Sequence, residues 1–283
     1  MAFAYGSDAG RWPDSMRSLY ETEPVVRAVL DRCDQAFEEE TGQSLLAVVF
    51  ADDGAHADTE GADWSVAAEY AMQSALTALW QSVGVEPAVV AGGGGAGELA
   101  AAHAAGVVGL ETGMRLAIAL ARVPAGEGAT EAPEAALVEI EAALGADTAS
   151  RPSVTLLSSA DGRAVEADKT LDAAYWLRHA RPAALGVDAL AGADVGVVVE
   201  IGGAEVHPDS TAPVVPGVLR ANVTDPCEEF VRSVARVYEL GIDIAFEGLF
   251  AGESRRRVAL PSYPFQRRRF WMEPRSTSDI GGA

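Results

Sequence analysis

Apolar positions recur along this chain in two distinct periods. Leu19, Val25, Val26, Val29 and Leu30 fall at helical spacing and predict a helix over 16–40. Ala68, Ala71, Met72, Ala75, Leu76, Leu79 and Trp80 form one apolar side and predict a second helix over 64–83. Further helices are expected over 98–105, 110–122, 134–144 and 225–240, and over 171–190 with a break at Pro182. Short unbroken apolar runs predict buried strands instead. They lie at 2–5, 87–91, 153–158 and 194–201, and VGVVVEI within the last is the clearest of them. A short element is expected over 45–50, followed by a polar loop at ADDGAHADTEGAD. PAGEGATEAP, at 124–133, carries the Gly/Ala/Pro composition of a linker, and 213–218 leads into the last helix. Strands alternating with helices imply an α/β domain on a mostly parallel sheet.

The 283 residues are enough for one large domain or two small ones. The chain has a net charge of −21, which argues against nucleic acid as a partner. No run of 18 apolar residues occurs, so no membrane partner is expected, and the opening MAFAYGSDAGRWP is not built like a signal peptide. Cys33 and Cys227 are far apart and outside any metal-ligand spacing; neither a disulfide framework nor a metal is expected, and the cytoplasm is the default location. The charge is uneven. From Ala251 onward seven arginines face Glu253, Glu273 and Asp279, so a tail of about +4 follows a body of about −25. The residues 275–283 are expected to be disordered.

Candidate chemistry concentrates in PAVVAGGGGAGELAAAHAA, at 87–105. An apolar strand, four glycines and a helix occupy the place where α/β enzymes hold a phosphate or a nucleophile. Gly92, Gly94 and Gly97 satisfy G-x-G-x-x-G, as any glycine run does. The dinucleotide fingerprint also needs a strand ending in an acidic residue roughly 20 positions on. That region reads GLETGMRLAIALAR, a helix, and no lysine follows the turn to make a phosphate loop. A nucleophile elbow, G-x-S-x-G, fits the shape but finds glycine at the nucleophile position. Without Oγ or a thiol no acyl-enzyme forms there. The plainest reading is a tight turn where backbone approaches backbone.

Four segments resemble the acyltransferase domain of modular type I polyketide synthases. LPSYPFQRRRFW, at 260–271, is similar to the post-acyltransferase linker almost letter for letter. WPDSMRSLYETEPVVRAVLDRC resembles the family's opening helix, AAYWLRHARPAAL its Y-W-x-R-H segment, and VVVEIGG the strand that normally reads L-E-V-G-P. The resemblance spans nearly the whole chain. It implies an α/β-hydrolase-like parallel-sheet core of the acyltransferase fold. It divides the chain into a truncated large subdomain at 1–212, a post-acyltransferase linker at 213–274 and the tail at 275–283.

The same resemblance marks what has changed. The family elbow reads G-H-S-x-G-E, which puts the serine on Gly95 and its histidine neighbour on Gly94, with Gly97 and Glu98 kept. Leu120 holds the place of the arginine that binds the extender carboxylate, and Arg122 matches a different family arginine. Asp8 stands for the oxyanion glutamine, where a carboxylate would repel a developing oxyanion, and Val66 for the glutamine of Y-A-Q-P-A-L. A ferredoxin-like subdomain normally follows the 110–122 helix and leads to the catalytic histidine; both are expected to be deleted. Of the four histidines, His103 and His179 match structural positions, and His56 and His207 match no catalytic one.

The resemblance therefore implies a catalytically inactive pseudo-acyltransferase, serving as a spacer or docking platform for neighbouring synthase domains. The ketosynthase and its linker are the implied neighbours, with an acyl carrier protein or a discrete acyltransferase as further partners; no cofactor is implied. Tyr263, Phe265, Arg267, Arg268, Arg269, Phe270 and Trp271 are the expected interdomain packing residues. The alternative is residual acyl-CoA or carrier-protein binding, or malonyl-type transfer by a non-standard route. Loss of the small subdomain should also uncover apolar surface, which new residues or a partner must cover.

Overall fold

A computed structural model describes residues 1–6, 14–51, 63–123, 134–145, 151–166, 168–180, 190, 193–202, 212–215, 225–254, 258–262 and 264. Met1–Gly252 forms one compact unit and Glu253–Ala283 a second. The first unit is built on five parallel strands: β1 (Ala2–Tyr5), β2 (Val89–Gly92), β3 (Thr155–Leu157), β4 (Val198–Ile201) and β5 (Val214–Val215). Their order across the sheet is β3-β2-β1-β4-β5. Pairing puts Tyr5 beside Gly92 on one side and Ile201 on the other, so three strands end level with one another.

Strand residues alternate between the two faces, and their sizes differ by face. Phe3, Tyr5, Val90, Leu156, Val199 and Ile201 join the large core cluster. Ala2, Ala4, Ala91, Leu157 and Val198 join a small cluster on the other face. The bulky face is where most of the helical mass packs. The helices are α1 (Asp14–Thr22), α2 (Pro24–Thr41), α3 (Leu45–Val49), α4 (Asp63–Ser82), α5 (Ala96–Ala104), α6 (Leu110–Ala121), α7 (Glu134–Leu144), α8 (Ala173–Arg178) and α9 (Pro226–Glu239).

The helix α4 sits at the centre of this packing, against α2, α5 and α6. All seven residues on its expected apolar side are buried, and Trp80 meets Phe230 of α9 edge-on with ring centroids 5.2 Å apart. The single helix expected over 16–40 is two. Glu23 is extended, with φ −103° and ψ 106°, and Pro24 opens α2. Proline has no N–H to offer the preceding turn and pushes the residue before it out of the helical region. Among the described residues of 171–190, the helical ones are the six of α8 and Leu190. Asp172 caps α8 by accepting from the Tyr175 N–H at 2.8 Å. Two elements were not expected: β5, a two-residue strand, and a 3₁₀ turn at Phe246–Phe250. Both β5 and α9, drawn from the segment expected as linker, belong to the first unit.

Candidate functional site

The glycine turn joins β2 to α5 at the carboxyl ends of the strands, and three of its glycines have distinct reasons to be there. A Cβ on Gly92 would run into the Gly97 carbonyl oxygen, so the end of β2 and the start of α5 touch through bare backbone. A Cβ on Gly97 would lie 2.9 Å from the Tyr5 carbonyl oxygen, which brings β1 into the same contact. Gly95 has φ +73° and ψ −125°, a region that costs an L-residue strain. The turn has the shape of a strand-to-helix elbow, and Gly95 sits at its tip. The backbone from Ala91 to Ala102 is buried throughout.

Across the tip lies the end of α8. The Gly95 N–H donates to the His179 carbonyl at 2.5 Å. A Cβ on Gly95 would point toward the Ala180 carbonyl oxygen, 3.9 Å away.

Beneath this contact four side chains form a buried polar cluster. The Tyr175 hydroxyl donates to Glu98, and the Ser159 N–H donates to the other carboxylate oxygen at 3.1 Å. The His179 Nδ1–H donates to the Tyr175 carbonyl at 2.7 Å, which leaves Nε2 to accept from the Ser158 hydroxyl at 3.0 Å. Nε2 also stands 3.8 Å from Glu98 Oε1, and the His179 ring stacks on Tyr175 with centroids 4.1 Å apart. Burial pushes the Glu98 carboxyl above its usual range, against the bonds it accepts from Tyr175 and Ser159. Burial, then the Glu98 charge, also pushes the Tyr175 hydroxyl up.

A hydroxyl held by an imidazole is the pairing that activated serines use. Here that hydroxyl is 7% exposed and also accepts from the Ala160 N–H at 3.3 Å. The imidazole is 3% exposed, with both nitrogens engaged. The cluster satisfies itself and offers no open position to a substrate. His103 is likewise committed, to the Val108 carbonyl at 3.0 Å, and burial lowers its pKa.

The expected site positions fall as follows. Gly94 and Gly95 lie together in the turn. Val66, on the first turn of α4, is half-buried against the core, and Leu120, on α6, is buried within it. The three helices α4, α5 and α6 pack on one another; of these positions, Val66 and Leu120 carry alkyl side chains and Gly94 and Gly95 none. Asp8, His56, His207, Tyr263, Phe265, Arg267, Arg268, Arg269, Phe270 and Trp271 lie outside the described residues. What sequence reasoning missed is the partnership of Glu98 with Ser158, Tyr175 and His179. Glu98 and Tyr175 were visible as letters of two family motifs, and nothing in either motif joins them.

On the other side of the turn, Gln73 of α4 donates from Nε2 to the Gly6 carbonyl at 2.5 Å, while its buried Oε1 has no partner among the described residues. On the helices that flank 124–133, the one large apolar side chain exposed among the described residues is Val138 of α7. Helix α6 packs against α2, α4, α5 and α7. Among the described residues no group of three His, Cys, Asp or Glu could hold a metal ion, and no helix is long and apolar enough to cross a membrane.

The model of a protein family described as "Acyl transferase domain" matches residues 12–173. The spectinabilin polyketide synthase system protein NorA' of Streptomyces orinoci is 29% identical over 99% of this chain, and erythronolide synthase EryA2 of Saccharopolyspora erythraea 26% over 98%. The chain spans about a tenth of the length of each of these relatives, 10% in both. The match to NorA' runs over 368 residues, 85 more than the 283 of this chain. Among solved structures, the acyltransferase domain from the second module of the salinomycin polyketide synthase superposes with a TM-score of 0.73 at 26% identity. That match covers 94% of this chain and 79% of the other. MCAT from Streptococcus pneumoniae, at 17% identity and a TM-score of 0.64, shares the fold over 84% of this chain and 99% of its own.

Proposed function

This chain belongs to the family of acyl transferase domains, and we propose that it is a catalytically inactive member, kept in a polyketide synthase as a spacer or docking platform. One observation carries the reading. The tip of the elbow, where the family places its serine, is Gly95, in a conformation that only glycine adopts without strain. No atom there attacks a thioester. Leu120 and Val66 supply no charge or amide for a malonyl-type carboxylate or an oxyanion. Loss of a whole triad alone lowers turnover by about 10⁶.

The family's small subdomain and its histidine are deleted at 124–133, and the 85-residue excess of the match supports this. The segment 213–274 is the post-acyltransferase linker. Its Tyr263, Phe265, Phe270 and Trp271 anchor the domain on a ketosynthase and its linker, with Arg267, Arg268 and Arg269 as charged contacts. Extender units come from a discrete acyltransferase acting in trans.

Carrier-protein loading tests this. An acyl carrier protein is incubated with malonyl-CoA, with this protein, with a discrete acyltransferase, or with both. The protein alone is expected to load nothing above the background of carrier and malonyl-CoA. Loading by the protein alone overturns the reading. A faster rate with both assigns the docking role, and an unchanged rate the spacer role.

A further inference from the structure

We propose that the end of α9 and the 3₁₀ turn after it form a ledge on which an arginine-bearing segment of a partner protein docks. Few large apolar side chains of the first unit are exposed among the described residues. Four of the five, Val231, Tyr238, Phe246 and Phe250, belong to α9 and this turn; the fifth is Val138 of α7. Val231, Ala235 and Tyr238 are exposed at i, i+4 and i+7 and share one face of α9. A contiguous apolar face of this kind marks an interaction surface.

The ledge is held from behind. Buried Phe230, Val234 and Val237 seat α9 on the core. Gly241, at φ +89°, turns the chain back after the helix, and Phe246 meets Tyr238 edge-on with ring centroids 5.4 Å apart. The Ala245 N–H donates to the Val83 carbonyl at 2.8 Å, just past the end of α4. A Cβ on Gly248 would run into the Ser82 carbonyl oxygen, so the turn rests on the end of α4 through bare backbone. The rings of Tyr238 and Phe246 are still 54% and 45% exposed. Rings fixed beforehand lose little entropy when a partner covers them.

Charge selects the partner. From Val237 to Gly252 the chain carries Glu239, Asp243 and Glu247 and no lysine or arginine. Arg236 offsets one of the three, pairing with Glu239 at 3.2 Å. Asp243 and Glu247 flank Phe246 in the chain and are exposed. Elsewhere the molecule covers its rings with its own cations. Arg17 stands over Phe50, Arg27 over Tyr20 and Lys169 over Tyr175, at 5.4, 5.7 and 5.7 Å from the ring centroids. No cation of the described residues stands so over Tyr238 or Phe246. A guanidinium meets both needs of the ledge, because it stacks on a ring and pairs with a carboxylate through a fork of N–H groups. A wholly apolar partner would bury the carboxylates unpaired. A second copy of this chain would bring the same carboxylates to a symmetric contact, and like charges would oppose it.

Peptide binding tests the ledge without invoking activity. The probe is a fluorescein-labelled peptide repeating Leu-Arg-Arg-Leu, beside one repeating Leu-Glu-Glu-Leu, with binding read by fluorescence anisotropy. The arginine peptide is expected to bind with a Kd below about 100 μM, and the glutamate peptide not to bind. Tyr238→Ser with Phe246→Ser should weaken the arginine peptide at least about tenfold. Asp243→Asn with Glu247→Gln keeps the rings and should weaken it at least about threefold, should the ring variant fail to fold. Glu38→Gln with Glu39→Gln removes the same charge from the exposed end of α2 and should leave the affinity unchanged.

No binding of the arginine peptide overturns the proposal. So does an equal loss in the α2 and ledge charge variants, which would mean attraction to the acidic body as a whole. A parent dimer in sedimentation that the ring variant dissociates also overturns it, and gives the ledge to a second copy. Peptide binding reads the ledge and carrier loading by this protein alone reads the elbow, so either can fail while the other stands.

Discussion

The two flanks of the glycine turn treat their polar groups differently. On the α8 flank, Glu98, Ser158, Tyr175 and His179 bond one another or nearby backbone. On the β1 flank, Gln73 commits one end to the Gly6 carbonyl and leaves Oε1 buried without a partner among the described residues. Tyr5 is better served there, with its hydroxyl 2.9 Å from Thr77. A flank whose polar groups close on themselves is a structural joint. A flank with an acceptor left unmatched among the described residues is not closed in the same way. The turn between them is held by close backbone approach and by two backbone bonds, from the Gly93 N–H to the Tyr5 carbonyl at 2.8 Å and from the Gly95 N–H to the His179 carbonyl at 2.5 Å.

The largest test breaks that geometry. Gly92→Ala forces a Cβ into the Gly97 carbonyl, and neither backbone can yield without separating β2 from α5. A loss of about 3 kcal/mol or more is expected in urea unfolding. A loss below about 1 kcal/mol would mean the two segments are not in contact.

Glu98→Ala probes the α8 flank. It strands the Tyr175 hydroxyl and the Ser159 N–H in a dry interior, at a cost of about 2–3 kcal/mol. Glu98→Gln keeps the shape and should cost less. It should also change the pH profile. Burial raises the folded pKa of Glu98 above its unfolded value. Its contribution to stability is therefore fully present below the unfolded pKa of 4.5 and is lost as pH rises through the folded value. Between those limits the parent loses stability with rising pH from this group, and Glu98→Gln should not. Equal slopes in parent and variant, by chemical unfolding from pH 4 upward, would remove Glu98 as the source.

How much of this was legible beforehand follows the same division. The helix α4 declared itself, because Ala68, Ala71, Leu76, Leu79 and Trp80 recur at its own period and all of them are buried. The strands were legible as apolar runs, and the elbow as four glycines between a run and a helix. Pro24 was also visible, yet the apolar spacing of 19–30 continues across it and hid the break. The residues of β5 make only two ladder pairs, Val198 with Val214 and Val199 with Val215, too few to leave a pattern. The cluster was illegible for a different reason. Glu98 and Tyr175 are 77 residues apart, and Ser158 and His179 are 21 apart. No local period records such a meeting; only the fold makes it. The reasons for the individual glycines were hidden too, since Gly92, Gly95 and Gly97 look alike as letters and differ in what surrounds them.

Gly95 offers a milder perturbation of the turn than Gly92. Gly95→Ala adds a Cβ that meets the Ala180 oxygen at an ordinary 3.9 Å, so only the positive φ resists it. About 1–2 kcal/mol is expected by urea unfolding. Gly95→Ser should cost a similar amount and stay unable to load a carrier protein, because no base among the described residues faces it.

The smallest expected effect lies on the β1 flank and decides what the contrast between the flanks means. Gln73→Met keeps the length of the side chain and removes both of its polar ends. The Gly6 carbonyl loses its amide donor, which costs about 1 kcal/mol. The orphan Oε1 disappears with the same substitution, which returns part of its desolvation penalty. The two effects oppose, and a net change within about 1 kcal/mol in urea unfolding is expected. Near-neutrality beside a loss of about 2–3 kcal/mol for Glu98→Ala would establish the α8 flank as the joint that holds the turn. A loss at Gln73 as large as that at Glu98 would mean that Oε1 has a strong partner after all, and the two flanks would then be equals.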